Sequence, residues 1–400
     1  MNGLRLLAGP DLRGGAETMQ EHRRRLGPEP AGDPGLVDVV GRSGLLGRGG
    51  AAFPVGVKWR SVSDRARGGA VVLVNGAEGE PLSWKDRLLL EARPHLVLDG
   101  AFIAAGTVGA DQVVLYVGER HRRALEALSR ALEERPASQR RLARIVAAPP
   151  RYVAGEESAA VHFVQEGVAT PTTVPPRPFE RGVDGRPTLV QNVETLAQVA
   201  LIARYGDGWF REAGAGGGTL LVSLSGGVAS AGVLEVEAGS SIGEVVTAAG
   251  GLSEGARAVL VGGYFGSWIN ADQAWGLPLD APWLRSRGWS LGCGVISVLG
   301  QGACGVCETA RVMSYLAAES SAQCGPCFFG LRSLADACTR LAQGEGGQED
   351  LERLRRWSAD VRGRGACRHP DGAVTLLRSA LEVFSHEFRH HSAHVRAEVA

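Results

Sequence analysis

The stretch "AVVLVNGAEGEP" (residues 70–81) decides the fold class. Its apolar, valine-rich opening reads as a strand buried on both faces, and the run breaks into a turn at Asn75 and Gly76. Downstream, "KDRLLLEARPHLVLDGAFIAAGTVGA" (85–110) reads as helix and "QVVLYVG" (112–118) as a second strand. "RRALEALSRALEER" (122–135) carries apolar residues at helical spacing, "ARIVAAP" (143–149) reads as a strand, and "RYVAGEESAAVHFV" (151–164) as a turn entering a helix. Strands alternating with helices predict an α/β layer with a largely parallel sheet, here spanning residues 35–208. Residues 1–34, polar and punctuated by Gly and Pro, read as a tail or linker.

The pattern then changes. "GTLLVSLSG" (218–226) and "GVLEVEAG" (232–239) read as short strands, "SIGEVVTAAGG" (241–251) as a serine-capped helix that ends at glycine, and "AVLVGGYFG" (258–266) as a further strand. Two strands, a helix and a strand predict a small β-grasp-like module over 209–284. From 285 to 400 the chain reads as a helical bundle, and six of the seven cysteines lie from Cys304 onward.

Composition narrows the function. Lys and Arg number 43 and Asp and Glu 43, so no charge imbalance favours nucleic acid or a membrane surface. Glycine, at 57 of 400 residues, is about twice its usual share, which implies many tight turns and close backbone approaches. An odd cysteine count without an export signal favours a reducing cytoplasm and metal or cluster ligation over disulfides.

Several motifs carry chemistry, each with a plainer alternative. "GRGGAA" (47–52) satisfies a dinucleotide-binding fingerprint, but the preceding "LVDVVGRSG" is a weak strand and Pro54 blocks a helix opening on the glycines. A glycine loop offering backbone N–H groups to an anion, flanked by Arg48 and Lys58, remains open. "HEFRH" (386–390) formally matches a zinc-protease helix, with a solvated helical tail as the plain reading. Cys304, Cys307, Cys324 and Cys327 have the spacing of a structural zinc site. Against that stands "ETARVMSYLAAE" (308–319), a helical run about 18 Å long between the two pairs. "GEES" (155–158) could be two acids complementing a helix dipole, and "VQNVETL" (190–196) an Asn-capped turn.

"GRGGAAFPVGVKW", "NGAEGEPLSWKDRLLLEARPHLVLDG", "YVAGEESA", "GRPTLVQNVETL" and "CGPC" occur in one order. In that order the chain, from about residue 35 to 390, resembles the NADH-oxidising flavoprotein subunit of respiratory complex I and its relatives in NAD-linked hydrogenases and formate dehydrogenases. The resemblance implies FMN in the glycine-rich α/β domain, NADH (or NADPH) as substrate stacking on its face, and a [4Fe–4S] cluster in the helical domain. Carried over by motif, Gly47, Arg48, Gly49, Gly50 and Lys58 form the loop over the flavin phosphate and ribityl chain. Asn75, Glu78 and Glu80 line flavin and nicotinamide, Tyr152, Gly155, Glu156 and Glu157 edge the isoalloxazine, and Gln191, Asn192 and Thr195 hold its phosphate end. Glu80 and Glu157 are the acids expected to act in the reaction.

The chain departs from the family pattern at several places. Ala77 replaces an aspartate, and Ser61 and Arg177 stand where aromatic rings sandwich the adenine. An arginine there suits the 2′-phosphate of NADPH. Ser321 replaces the first cluster cysteine, which leaves Cys324, Cys327 and Cys367 in place; Cys304 or Cys307 is the preferred fourth ligand, with Ser321 and Cys338 behind them. The resemblance implies an oxidoreductase passing electrons to a ferredoxin-like or [2Fe–2S] protein or another reductase subunit. Two rivals are a scaffold subunit that has lost NADH binding and a zinc-stabilised ligand-binding protein.

Overall fold

The computed structural model describes residues 4–393. These divide into two compact units: residues up to Ser223 with Gly232–Ser240 and Pro278–Asp280, and Leu224–Ala231, Ser241–Leu277 and Ala281 onward.

The first unit is built on a four-stranded parallel sheet. Its strands are β1 (Ala70–Gly76), β2 (Ala110–Gly118), β3 (Ala143–Ala148) and β4 (Thr188–Asn192), in the spatial order β3-β2-β1-β4. β1 is buried along almost its whole length, as the apolar run requires. It pairs with β2 on one side (Leu73 opposite Val114) and with β4 on the other, where Asn75 stands opposite Asn192. The helical run between β1 and β2 is two helices, Lys85–Ala92 and Pro94–Val108, separated at Arg93 because Pro94 cannot continue the first. The second of these is buried all round and packs with the Val193–Arg211 helix in the main core.

The sequence readings of the amino-terminal part need two corrections. Residues before 35 are not a tail. Leu6 and Leu7 are buried, Thr18 and Glu21 form a capping box that starts the Met19–Leu26 helix, and buried Arg93 donates to the carbonyls of Leu7, Ala8 and Pro10. His22 of that helix contacts the Asp99 carboxylate at 2.7 Å, both side chains buried. The weak strand before the glycine loop is a helix, Leu36–Ser43, because Leu36, Val37 and Val40 form an apolar face at helical spacing.

Five further strands follow: β5 (Thr219–Gly226), β6 (Gly232–Glu237), β7 (Ala256–Val261), β8 (Ser267–Asn270) and β9 (Val295–Gly300). In the second unit β7 lies between β8 and β9, antiparallel to both. The rest of that unit is mainly helical, with helices at Gly305–Ala318, Arg332–Gln343, Gln348–Val361, His369–Val383 and Ser385–Ala393. Among the described residues no helix is long and apolar enough to cross a membrane.

Candidate functional site

A strand order in which β1 has β2 on one side and β4 on the other creates a topological switch point beside the carboxyl ends of β1 and β4. Open α/β sheets bind ligands at that position. Asn75 is the last but one residue of β1 and Gln191 and Asn192 end β4, so three residues singled out in the sequence meet there.

The glycine loop reaches the same place from a different element. It is not a strand-to-helix turn but a tight excursion between two helices, closed by Gly47 N–H donating to Phe53 O at 2.9 Å and Val55 N–H to Leu45 O at 3.0 Å. Arg48 N–H donates to Thr195 Oγ1 at 2.9 Å, and a Cβ on Gly49 would stand 3.2 Å from the Asn192 Cβ. The loop therefore lies against the first turn of the Val193–Arg211 helix. Gly50, at φ 115°, takes a conformation that favours glycine.

Several acids and bases expected to face a ligand are engaged by the protein instead. The Arg48 guanidinium donates to Gly217 O (2.9 Å) and Thr219 O (3.2 Å), so it braces the loop from behind. Glu156 is the N-cap of the Glu157–Glu166 helix, accepting from Ser158 N–H (2.9 Å) and Ala159 N–H (3.0 Å). Glu78 accepts from Ser83 Oγ (2.8 Å), Asp86 N–H (2.9 Å) and Arg87 N–H (3.1 Å), with its backbone at φ 39°. These bonds hold a non-glycine residue in the left-handed region, where strain is common beside functional sites.

Other side chains form the wall of the site. Asn75 Nδ2 donates to Gly155 O at 2.8 Å, the Tyr152 hydroxyl donates to Glu80 Oε2 at 3.0 Å, and Lys58 pairs with Glu157. Asn192 donates to Asp86 Oδ2 (2.6 Å) and caps the following helix through Thr195 N–H. Gln191 is buried, and its Oε1 is an acceptor without a partner among the described residues. Beneath the wall, Lys85 is 1% exposed and lies 2.8 Å from both Asp86 and Glu194. Burial alone would push its ammonium pKa down, but the two carboxylates carry it well above the usual lysine range.

Burial, and then the charge of Asp86, push the Glu78 carboxyl up to about 7. A carboxyl that binds its proton more tightly when folded stabilises the fold below its unfolded pKa of 4.5 and loses that contribution as pH rises towards 7. The contribution of this one carboxyl is expected to fall by about 3 kcal/mol across that window. Urea unfolding at each end of the window should show the wild type losing stability relative to Glu78→Gln as pH rises; equal slopes in the two proteins would reject the assignment.

The cysteines form two groups. Cys324 precedes, and Cys327 lies within, a π-helical turn, Pro326–Leu331, a local widening that recurs at functional sites. Cys327 is 1% exposed, and its thiol is pushed up to about 12 by burial and by the neighbouring Cys324 and Cys367 sulfurs, while the Ser320 hydroxyl pulls the other way. Cys324 and Cys367, from two separate segments, are thus both neighbours of Cys327.

Cys304 is among the fourth cluster ligands expected from the sequence. It caps the Gly305–Ala318 helix, whose fourteen residues span about 21 Å before Cys324 is reached. It groups instead with Cys307 and His391. Cys338 is fully buried, and burial alone raises its thiol. Of the "HEFRH" motif, Glu387 is paired with Arg257 and accepts from Gly305 N–H at 2.8 Å, so it is no free catalytic base.

Known proteins match the chain over both regions. The family description "Nuo51 FMN-binding domain" matches residues 40–201, and "NADH-ubiquinone oxidoreductase-F iron-sulfur binding region" matches 300–391. An F subunit of the NADH-quinone oxidoreductase of Rhizobium meliloti is 32% identical over 373 residues, covering 89% of this chain and 88% of its own. The HndC subunit of the NADP-reducing hydrogenase of Solidesulfovibrio fructosivorans is 29% identical, covering 89% and 76%. The crystal structure of an air-oxidized NAD+-reducing [NiFe]-hydrogenase superposes with a TM-score of 0.84 at 32% identity; it covers 90% of this chain, which spans 63% of that one. On this identity and coverage, the chain belongs to the family of NADH-quinone oxidoreductase F subunits.

Proposed function

We propose that the chain oxidises a reduced nicotinamide with FMN held at the switch point of the parallel sheet and passes electrons through a [4Fe–4S] cluster to a partner protein. The observation that carries the reading is the convergence of the glycine loop, the ends of β1 and β4 and the Tyr152–Glu157 segment in one unit. The residues present fit FMN. A Cβ on Gly49 would crowd Asn192, so a bare backbone here can lie close to a phosphate or ribityl chain, and the orphaned Gln191 Oε1 wants a donor that a ribityl hydroxyl or ring N–H supplies. FMN, when bound, takes hydride as an electron pair and gives electrons up singly.

The chain's own residues position it. Gly47, Gly49 and Gly50 supply the backbone of the phosphate loop, with the Arg48 guanidinium bracing it. Lys58 and Glu157, as an ion pair, and Glu80, through Tyr152, set the charge beside the ring. Asn75, Gly155, Asn192 and Thr195 fix the wall, while Glu78 and Glu156 shape it through backbone bonds. Cys324, Cys327 and Cys367 hold the cluster, and Ser320 is the hydroxyl beside Cys327. Residues 209–284 supply a β-grasp module, between these two regions in sequence. A ferredoxin-like or [2Fe–2S] protein, or a further reductase subunit, takes the electrons in a reducing cytoplasm that keeps the cysteines as thiols.

Arg177 is exposed, and a guanidinium there pairs with the 2′-phosphate that separates NADPH from NADH. An anaerobic absorbance spectrum, repeated after NADH and after NADPH, tests the activity: flavin and cluster bands should bleach with at least one nucleotide. Flavin that stays oxidised with both would leave only a scaffold subunit. Arg177→Ala should raise KM for NADPH by roughly tenfold or more and leave KM for NADH unchanged, since a charge-assisted pair contributes about 1.5–3 kcal/mol. An unchanged preference would remove Arg177 from nucleotide selection.

A further inference from the structure

We infer that Cys304, Cys307 and His391 form a zinc site of their own, separate from the iron–sulfur ligands, with a fourth coordination position left to water. Among the described residues these are the only three His, Cys or acidic donors whose ligand atoms all lie within 4.8 Å of one another. Two thiolates and an imidazole suit zinc. Donors about 2.0–2.1 and 2.3 Å from one zinc at the tetrahedral angle stand roughly 3.6 Å apart. Cys304 Sγ and His391 Nε2 are 3.6 Å apart.

The imidazole is set for a metal. His391 Nδ1 lies 2.9 Å from the Leu341 carbonyl, which can only accept, so Nδ1 carries the proton. Nε2, towards Cys304, then holds a free lone pair. A backbone carbonyl behind a ligating histidine is the usual way of fixing that tautomer and ring orientation.

Cys304 is the N-cap of the Gly305–Ala318 helix, where its Sγ accepts from Cys307 N–H at 3.2 Å. The turn carrying Cys304 is held from both sides: Arg257 donates to Ala303 O, and Glu387 accepts from Gly305 N–H at 2.8 Å. Glu387 and His391 are one helical turn apart on the Ser385–Ala393 helix, so one face of that helix fixes both the turn and the third ligand. Zinc here would clasp the start of one helix to the carboxyl-terminal helix. Being redox-inert, it stands outside the electron path.

The test uses full-length protein expressed with added zinc and dialysed free of loose metal, with zinc and iron counted together and zinc X-ray absorption recorded. Expected are about one zinc per chain and a first shell of two sulfurs with nitrogen and oxygen neighbours. Cys307→Ser and His391→Ala should lose zinc to a chromophoric chelator at roughly tenfold lower chelator concentration or less, with iron, flavin and circular dichroism unchanged. Should a variant fail to fold, the wild-type zinc count and absorption edge decide by themselves. Absence of zinc in the wild type, equal retention in both variants, or a Cys304–Cys307 disulfide in the isolated protein would overturn the inference. So would iron loss in Cys304→Ser, which would return Cys304 to the cluster.

Discussion

Replacing Cys327 with serine is expected to strip the cluster iron from the protein while flavin stays bound. Cys327 is buried on the π-helical turn, and the sulfurs of Cys324 and Cys367 act on its thiol. A serine oxygen is a harder donor that iron–sulfur clusters accept poorly. Iron should fall to background and the broad cluster absorbance should vanish. Transfer to a one-electron protein acceptor should drop by roughly a hundredfold. Bleaching of the flavin by reduced nicotinamide should persist, because those residues belong to the other unit. Cys338→Ala is the control and should keep its iron. A Cys327→Ser protein that retains full iron would show that the cluster is held elsewhere.

Lys85→Met should destabilise the first unit by about 3–5 kcal/mol, the cost of leaving buried carboxylates without their cation. Lys85 and Glu194 are each 1% exposed, and Asp86 is little more, so water cannot take over the neutralisation. Asp86 also accepts from Asn192 Nδ2 and Glu194 N–H, and Glu194 from Leu221 N–H. The damage should therefore reach the β4 end, and flavin should be bound more weakly. Adding Glu194→Gln should restore part of the loss by removing one unpaired charge. Chemical denaturation monitored at 222 nm, with flavin content measured on the same samples, checks both effects. A loss below about 1 kcal/mol would mean that the charges reach solvent.

How much of this is legible in the sequence depends on the range of the interaction involved. The apolar runs at 70–74 and 112–117 are strands because their burial is set by neighbours a few residues away in pattern. Strand order is a long-range property, so the switch point that gathers Asn75, Gln191 and Asn192 leaves no local trace. Arg48 reads as an anion ligand because arginine beside glycines usually is one. Its commitment to Gly217 and Thr219 depends on where β5 begins. The Thr18–Glu21 capping box is legible, but it lies in a stretch whose glycines and prolines read as linker. His391 carries no signal at all: the attractive spacing belongs to His386 and His390, yet their neighbour is the one that meets the thiols.

A ribosome making this chain releases Asn75 early, but Asn192, its neighbour across the sheet, emerges only after β2 and β3 and the helices between them. Until then β1 has one open edge and the nucleotide-facing corner has a single wall. Flavin loading there must follow the closing of β4 against β1, about halfway through synthesis of the 400-residue chain. Because that pairing joins segments remote in sequence, its closure is slow relative to local helix formation.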